Sequence, residues 1–233
     1  MEQPSIDNRT DFIAHAQMLL DRTDEKLGTF VKATFEVEDD GTLELAPARR
    51  ARGIRAADIP WDDKRPESLA YPADICLHKP ATDVVLVATA YAPGGQPARS
   101  FDVRVEVGWL QKSLAIFGHR LWLDRGSGLS APTPITEIDL KYDYAWGGKD
   151  DKDPAALLEE PRNPVGMGLT RRPEALTGKP APHIEDPAHP IRSARTAPPP
   201  AGVGVVGRHW EPRRRYIGTY DRTWQELRAP LLR

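Results

Sequence analysis

The chain has 233 residues, enough for one large β-rich domain or two small ones. Its formal net charge is only −2, which gives no global reason to expect nucleic acid or an anionic membrane as a partner. The single cysteine, Cys76, excludes an intrachain disulfide framework. No apolar run approaches the length of a membrane span, and the first residues lack the basic and apolar regions of a signal peptide, so we expect a cytoplasmic protein.

The first 148 residues show the alternation of apolar and polar residues that is typical of strands separated by short turns. The clearest hairpin is predicted over 29–46, where Val31, Phe35 and Val37 alternate with polar residues before the turn at 39–41. The nearly continuous apolar run 84–91 predicts a strand that is buried on both faces. Further strands are predicted at 101–107, 110–116, 121–123 and 135–144. The pattern predicts a mainly β fold with an antiparallel, sandwich-like core over 1–148.

From 149 to 233 proline becomes frequent and the alternation fades. The segment keeps large apolar residues that a free linker would have little reason to carry. We therefore predict a long, mostly irregular arm that packs on the β core, so that 1–148 and 149–233 form a single structural domain. One short helix is predicted over 220–228, because Asp221 can cap it and Trp224 and Leu227 share a face.

The segment Gly202–Gly207 spells the GxGxxG pattern of dinucleotide-binding proteins. That pattern functions between a strand and a helix N-terminus. Here prolines at 198–200 disfavour the strand, and Pro212 would interrupt the helix. We predict no bound cofactor, and a glycine-rich loop that packs closely under another segment.

Two groups of polar residues leave an enzymatic alternative open, a metal-dependent or His/Asp hydrolase. The densest cluster of possible metal ligands comprises His183, Glu185, Asp186 and His189. Prolines at 182, 187 and 190 prevent a continuous helix that would hold these ligands rigidly, so we predict polar turns and no metal. His78 and Asp83 precede the run 84–91. Acid–base chemistry and hydrogen bonding to the backbone are both open as roles for these two residues.

The C-terminal part combines arginines with aromatic residues. The candidate partner-binding residues are Trp210, Arg213, Arg214, Tyr216, Tyr220 and Trp224. Arginines without a recognised nucleic-acid module are better explained by pairing with carboxylates of the core or of a protein partner. The aromatic residues are either anchors for a partner or core contacts of the arm itself, and both interpretations stay open.

Several segments, in the same order along the chain, carry a resemblance to a known bacterial family. They are KATFEV at 32–37, HKPATDVVLVATAYAPGG at 78–95, WLQKSLAIFGHRLW at 109–122, YDYAWGG at 142–148, NPVGMG at 163–168, HIEDP at 183–187 and PAGVGVVGRHWEPRRRYIGTYDRTWQELRAPLL from 200. Each segment alone is unspecific, whereas the ordered set is specific. Over nearly its whole length the chain resembles the bacterial domain-of-unknown-function family 2169.

The resemblance implies a function in the delivery of other proteins rather than in catalysis. Proteins of this family are similar to accessory factors of type VI secretion, adaptors or chaperones that load a toxic effector onto the valine-glycine-repeat spike or its PAAR-type tip. It implies a non-enzymatic protein whose partners are an effector and a spike or tip protein, with no catalytic residue to carry over. Relatives continue beyond the position of Arg233 with a proline and acidic segment, so a short or truncated member is expected.

Overall fold

The computed structural model describes residues 4–21, 24–76, 82–152 and 157–213. In this part of the chain the regular structure is mainly strands, paired almost throughout in antiparallel register. The strands are β1 (Ile13–Asp21), β2 (Asp24–Lys32), β3 (Phe35–Val37), β4 (Leu43–Leu45), β5 (Ile59–Pro60), β6 (Leu69–Tyr71), β7 (Thr89–Tyr91), β8 (Ser100–Val107), β9 (Leu110–Phe117), β10 (Glu137–Asp139), β11 (Trp146–Gly147), β12 (Lys149–Asp150), β13 (Leu158–Glu159), β14 (Met167–Gly168) and β15 (Ile184–Glu185). The predicted mainly β, antiparallel class with a largely irregular proline-rich C-terminal part is confirmed.

The described residues group into two compact units. The first contains the residues up to Ile59, together with 71–76 and Thr82; the second contains 60–70 and 83–213. The predicted division between 148 and 149 therefore lies inside the second unit.

The first unit is built from two hairpins. β1 and β2 pair antiparallel along nine residues each, with Ile13 opposite Lys32 and Met18 opposite Leu27. β3 and β4 pair around a turn in which the N–H of Gly41 donates to the carbonyl oxygen of Glu38 at 2.8 Å. Gly41 has a φ of +83°, a conformation that glycine adopts without steric cost.

The second unit is centred on the sheet β15-β9-β8. A turn at Gly108, with a φ of +57°, joins β8 to β9 and leaves Trp109 at the tip with 92% of its surface exposed. Leu114 and Ile116 of β9 and Ile184 of β15 are buried at the centre of the main apolar cluster, to which Phe101 of β8 also belongs. Alternation along β9 thus directs one face into the core, as the sequence pattern predicts.

A second apolar cluster lies within the irregular part of this unit. Trp122, Trp146, Leu176 and Ile191 are its largest buried members. The backbone of the proline-rich segment is paired here, since the N–H of Trp122 donates to Lys179 and the N–H of Ala181 donates to Arg120, each at 3.0 Å. Buried apolar anchors and these backbone hydrogen bonds order a segment whose composition alone is typical of a linker.

Three predicted strands are shorter than expected or differ in kind. The run 84–91 was expected to be buried on both faces, but the strand covers only Thr89–Tyr91, and Val84 is exposed. The strand is short because the segment beside it is irregular. The N–H of Leu86 donates to the carbonyl oxygen of Val203 in the glycine-rich loop at 3.0 Å, and not to a long neighbouring strand. The predicted strand 135–144 becomes Glu137–Asp139 followed by a 3-10 turn over Tyr142–Tyr144. At 121–123 only isolated bridges form.

The predicted helix over 220–228 lies outside the described residues. Residues 211–213 are helical. Among the helices of the described residues, none is long and apolar enough to cross a membrane.

Candidate functional site

The β1-β2 hairpin carries large apolar side chains that are open to solvent. Met18 and Leu27 are directly opposite each other, and both are exposed. Residues two apart in a strand point to the same face, so Val31 lies on the face of Leu27. Leu27 is 60% exposed and Val31 is 63% exposed. This face of the hairpin therefore exposes three large apolar side chains, while Ala16 on the same face is buried.

The β3-β4 hairpin repeats this arrangement. Phe35 lies opposite Leu45 and Val37 lies opposite Leu43, two successive apolar pairs on one face. Val37 is 72% exposed and Leu43 is 65% exposed. The intervening pair, Glu36 and Glu44, points to the opposite face. The alternation that indicates a strand with one buried face is thus present, but its apolar face is in contact with solvent.

We refer to this set as the apolar hairpin residues: Met18, Leu27, Val31, Phe35, Val37, Leu43 and Leu45. In the described part of the first unit, the buried apolar residues are Ala16 and Ala46. Both large apolar clusters found among the described residues belong to the second unit. Exposed apolar patches of this kind mark interaction surfaces. A cavity of about 280 Å³ lies beside them, lined in part by Ile13, Leu45 and Pro47.

A charged network fixes the end of β2. The ammonium group of Lys32 pairs with the carboxylate of Asp74, which also accepts a hydrogen bond from the backbone N–H of Arg55 at 2.7 Å. Burial raises the pKa of the Asp74 carboxyl, but the hydrogen bonds from Lys32 and Arg55 outweigh it and hold the pKa below its ordinary value. Asp74 is therefore ionised, and the positive charge of Lys32 is neutralised beside the apolar hairpin residues.

Trp210, predicted either as a partner anchor or as a core contact, is a core contact. It is 1% exposed, and its indole packs edge-to-face on the ring of Tyr142 with 5.5 Å between centroids. Arg213 pairs with Asp83 at 3.1 Å, which is the pairing with a core carboxylate that its residue type suggested. The other candidates, Arg214, Tyr216, Tyr220 and Trp224, lie outside the described residues.

The glycine-rich loop 202–207 packs under the same aromatic rings. A Cβ atom on Gly202 would lie 2.7 Å from the ring of Tyr142, and one on Gly207 would lie 2.7 Å from the indole of Trp210. Burial raises the pKa of Tyr142 to about 12, so its phenol stays protonated and its hydroxyl donates to the carbonyl oxygen of Gly202 at 3.3 Å. Close approach of two aromatic rings thus explains why glycine occupies these positions.

Residues 22–233 match DUF2169, a family described as uncharacterized proteins conserved in bacteria. The chain belongs to the DUF2169 family. No curated protein and no solved structure matches it.

Two of the segments that carried the DUF2169 resemblance contact each other in the structure. Asn163, fully buried, donates from its side-chain amide to the carbonyl oxygens of Tyr142 and Trp146, each at 3.0 Å. Gly147 and Gly166 lie so close to Asn163 that a Cβ atom on either would overlap with it. The glycines of YDYAWGG and NPVGMG therefore serve packing in this DUF2169 protein.

The residues of the enzymatic alternative are placed in different surroundings. The Nδ1 atom of His183 lies 3.2 Å from the carbonyl oxygens of Phe117 and Gly118, whereas that of His189 lies 2.8 Å from Asp186. Glu185 pairs with Arg120. Of the described residues, no group of three or more His, Cys, Asp or Glu side chains is arranged to hold a metal ion. Asp83 is paired with Arg213, and His78 lies outside the described residues.

The sequence reasoning did not identify the apolar hairpin residues as a surface. The sequence predicts a hairpin over 29–46, and the centre of this hairpin is confirmed as β3 and β4. Its apolar residues were expected to belong to the β core. The sequence did contain a signal that this apolar face is exposed, because residues 4–59 include few other apolar segments that can cover it. The β1-β2 hairpin was missed because Ile13–Asp21 has no clear alternation.

Proposed function

We propose that this DUF2169 protein is a non-enzymatic adaptor that binds a type VI secretion effector and helps load it onto the spike or its PAAR-type tip. The observation that carries the protein-binding function is the exposure of the cross-strand pairs Val37–Leu43 and Met18–Leu27. The choice of partner rests on the family resemblance described above. The adaptor acts in the cytoplasm, before secretion.

The energetic argument for a partner is direct. Covering one Val or Leu side chain contributes about 1.5 to 3 kcal/mol relative to leaving it in water. Two hairpins that each display several such side chains therefore offer a protein partner a strong apolar contact. Interface cores are depleted of charged residues, and the glutamates of the β3-β4 hairpin lie on the other face.

The test is recovery of the tagged protein with its partners from the native bacterium under gentle conditions, followed by mass spectrometry. We expect the wild-type protein to recover a type VI effector, with or without a spike or tip protein. The variant Val37→Ser/Leu43→Ser is expected to recover much less. The matched control Glu44→Ser alters the neighbouring residue of the same strand on the opposite face, and is expected to behave as the wild type.

Two results contradict the proposal. One is that the wild-type protein recovers no component of a secretion apparatus although it is expressed and folded. The other is that Val37→Ser/Leu43→Ser and Glu44→Ser recover the effector equally well, which would remove the apolar hairpin residues from the interface.

A further inference from the structure

β8 is the outer strand of the sheet β15-β9-β8. Its eight residues, Ser100–Val107, all pair with residues of β9 in one continuous register. In the part of the chain that the structure describes, no strand pairs with the other side of β8. Natural proteins usually protect such an edge with a proline or a bulge, and β8 contains neither.

The backbone groups that face the open edge follow from the hydrogen bonds of β9. The N–H of Phe117 donates to the carbonyl oxygen of His183 at 2.8 Å, and therefore points away from β8. Hydrogen-bonded and non-hydrogen-bonded pairs alternate along an antiparallel ladder. Since Phe117 is opposite Ser100, the even-numbered residues from Ser100 to Glu106 direct their N–H and C=O groups away from β9. Among the described residues, these groups have no hydrogen-bond partner.

One face of β8 is apolar along its whole length. Phe101, Val103, Val105 and Val107 lie on this face, and Phe101 and Val103 belong to or pack against the main apolar cluster. Val107 is 49% exposed, and Trp109 in the adjoining turn is exposed almost completely. The apolar face therefore extends beyond the cluster into solvent.

The opposite face of β8 carries charges of both signs. Asp102, Arg104 and Glu106 lie there, and all three are exposed. Arg104 and Glu106 pair with each other at 3.1 Å, with 59% and 51% of their side chains exposed, so both can still contact charges of another chain. A strand that fits this edge therefore presents the opposite charge on one face and apolar side chains on the other.

A second copy of β8 meets these requirements in one antiparallel register. A twofold axis at Val105 places Arg104 of each copy opposite Glu106 of the other. The same register places the exposed Val107 opposite Val103 of the second copy. It pairs even-numbered with even-numbered residues, so the free N–H and C=O groups of the two copies face each other.

Neighbouring registers are less favourable. An axis at Arg104 would place this arginine opposite itself and Asp102 opposite Glu106, so that like charges meet. An axis at Val103 leaves the exposed Val107 without an apolar residue opposite it. An axis between two residues would set backbone groups that face the open edge against groups that face away from it.

We propose that β8 binds β8 of a second copy of this chain, so that the two sheets join into one continuous antiparallel sheet across a twofold axis at Val105. The backbone N–H and C=O groups of Arg104 and Glu106 form hydrogen bonds between the copies, and the side chains of these residues form ion pairs. The contact uses none of the apolar hairpin residues, so its outcome is independent of the adaptor function.

The test is sedimentation equilibrium of the purified full chain from roughly 1 μM to 1 mM, a range that brackets the affinity expected of a small interface. We expect a monomer–dimer equilibrium with a dissociation constant of roughly 10 to 100 μM, because one pair of edge strands buries less area than a standard interface. Glu106→Arg places like charges opposite Arg104 at both symmetric positions, and is expected to raise the dissociation constant about tenfold. The charge swap Arg104→Glu/Glu106→Arg restores opposite charges, and is expected to return the constant to within about threefold of wild type.

Asp102→Lys is the matched control, since it reverses an exposed charge on the same face of β8. With the axis at Val105, Asp102 lies opposite Gly108 of the second copy, so the dissociation constant is expected to change less than about twofold. Amide hydrogen exchange gives a second readout, because a higher protein concentration is expected to slow exchange at Arg104 and Glu106. A loss of affinity in Asp102→Lys as large as in Glu106→Arg would overturn the register.

Three results would overturn the pairing of two β8 strands. They are a monomer over the whole concentration range, a dimer that Glu106→Arg leaves unchanged, and a dimer that the charge swap fails to restore although the variant is folded. If the chain stays monomeric and the recovered effector slows exchange at the amides of Arg104 and Glu106, the edge accepts a different protein, which also overturns the second copy as its occupant.

Discussion

Arg120 and Glu185 form an ion pair at 2.5 Å inside the second unit, with 5% and 2% of their side chains exposed. The other oxygen of Glu185 accepts a hydrogen bond from the backbone N–H of Ile191 at 2.8 Å, and the guanidinium also donates to the carbonyl oxygen of Pro182. This pair therefore ties β15 and the proline-rich chain that follows it to the end of β9. The pair gives each buried charge a counter-charge, although Nε of Arg120 is buried without a hydrogen-bond partner among the described residues.

Glu185→Gln is expected to lower the free energy of unfolding by about 3 to 5 kcal/mol, because it leaves the Arg120 guanidinium buried without a counter-charge. The double variant Arg120→Met/Glu185→Met is expected to be more stable than Glu185→Gln. Urea denaturation followed by tryptophan fluorescence measures both. A double variant less stable than the single one would show that the pair contributes more than mutual neutralisation.

Gly207→Ala is expected to lower the free energy of unfolding by about 1 to 3 kcal/mol, because its Cβ would overlap with the buried indole of Trp210. Gly128→Ala is the matched control in the same unit, since its Cβ would have 3.8 Å to the nearest side chain. Thermal unfolding of the two variants compares them directly. Equal midpoints would contradict the packing explanation of the glycine-rich loop.

Burial of His183 makes the stability depend on pH. Burial is the main cause that lowers the pKa of His183 below 6.5, with the positive charge of His119 and Arg120 adding to it. As the pH falls, the unfolded chain takes up this proton first, so the free energy of unfolding decreases below about pH 6.5 until folded His183 also protonates. In His183→Asn this part of the pH dependence is expected to disappear.

Denaturant unfolding between pH 7.5 and 5, with wild type and His183→Asn side by side, measures that difference. The carboxylates with lowered pKa values, such as Asp74, contribute in a lower pH range. Parallel pH profiles for the two proteins would contradict the assignment to His183.

The apolar hairpin residues are expected to be dispensable for stability. Val37→Ser/Leu43→Ser removes two exposed side chains, so the free energy of unfolding is expected to change by no more than about 0.5 kcal/mol per residue. Thermal unfolding of the isolated protein is the measurement. A large loss of stability would show that these side chains support the fold instead of serving a partner.

The sequence predicted those elements in which local pattern and local environment agree. Alternation over 101–116 and a glycine turn specify β8 and β9, and both are confirmed. The same alternation predicts that Val37 and Leu43 lie on one face, but not that this face is uncovered, because periodicity reports which side chains are together and not what lies against them. The prediction of a buried strand over 84–91 was wrong for a related reason. The segment beside Leu86 is the irregular glycine-rich loop, and sequence periodicity does not predict such a contact.

The candidate site was only partly predictable. The sequence singled out Trp210 and Arg213, but it did not predict that Trp210 packs on Tyr142 or that Arg213 pairs with Asp83. A cavity of about 270 Å³ in the second unit brings together residues from separate parts of the chain, Glu137 and His119 among them, and no spacing in the sequence indicates that they meet.

The most direct test of the adaptor account is the affinity of the purified protein for the effector with which it is recovered, measured by titration calorimetry. The account predicts that Val37→Ser/Leu43→Ser raises the dissociation constant about tenfold or more, the effect of removing central apolar contacts, while Glu44→Ser changes it less than about twofold. Equal affinities for wild type and Val37→Ser/Leu43→Ser, with both proteins folded, would contradict it.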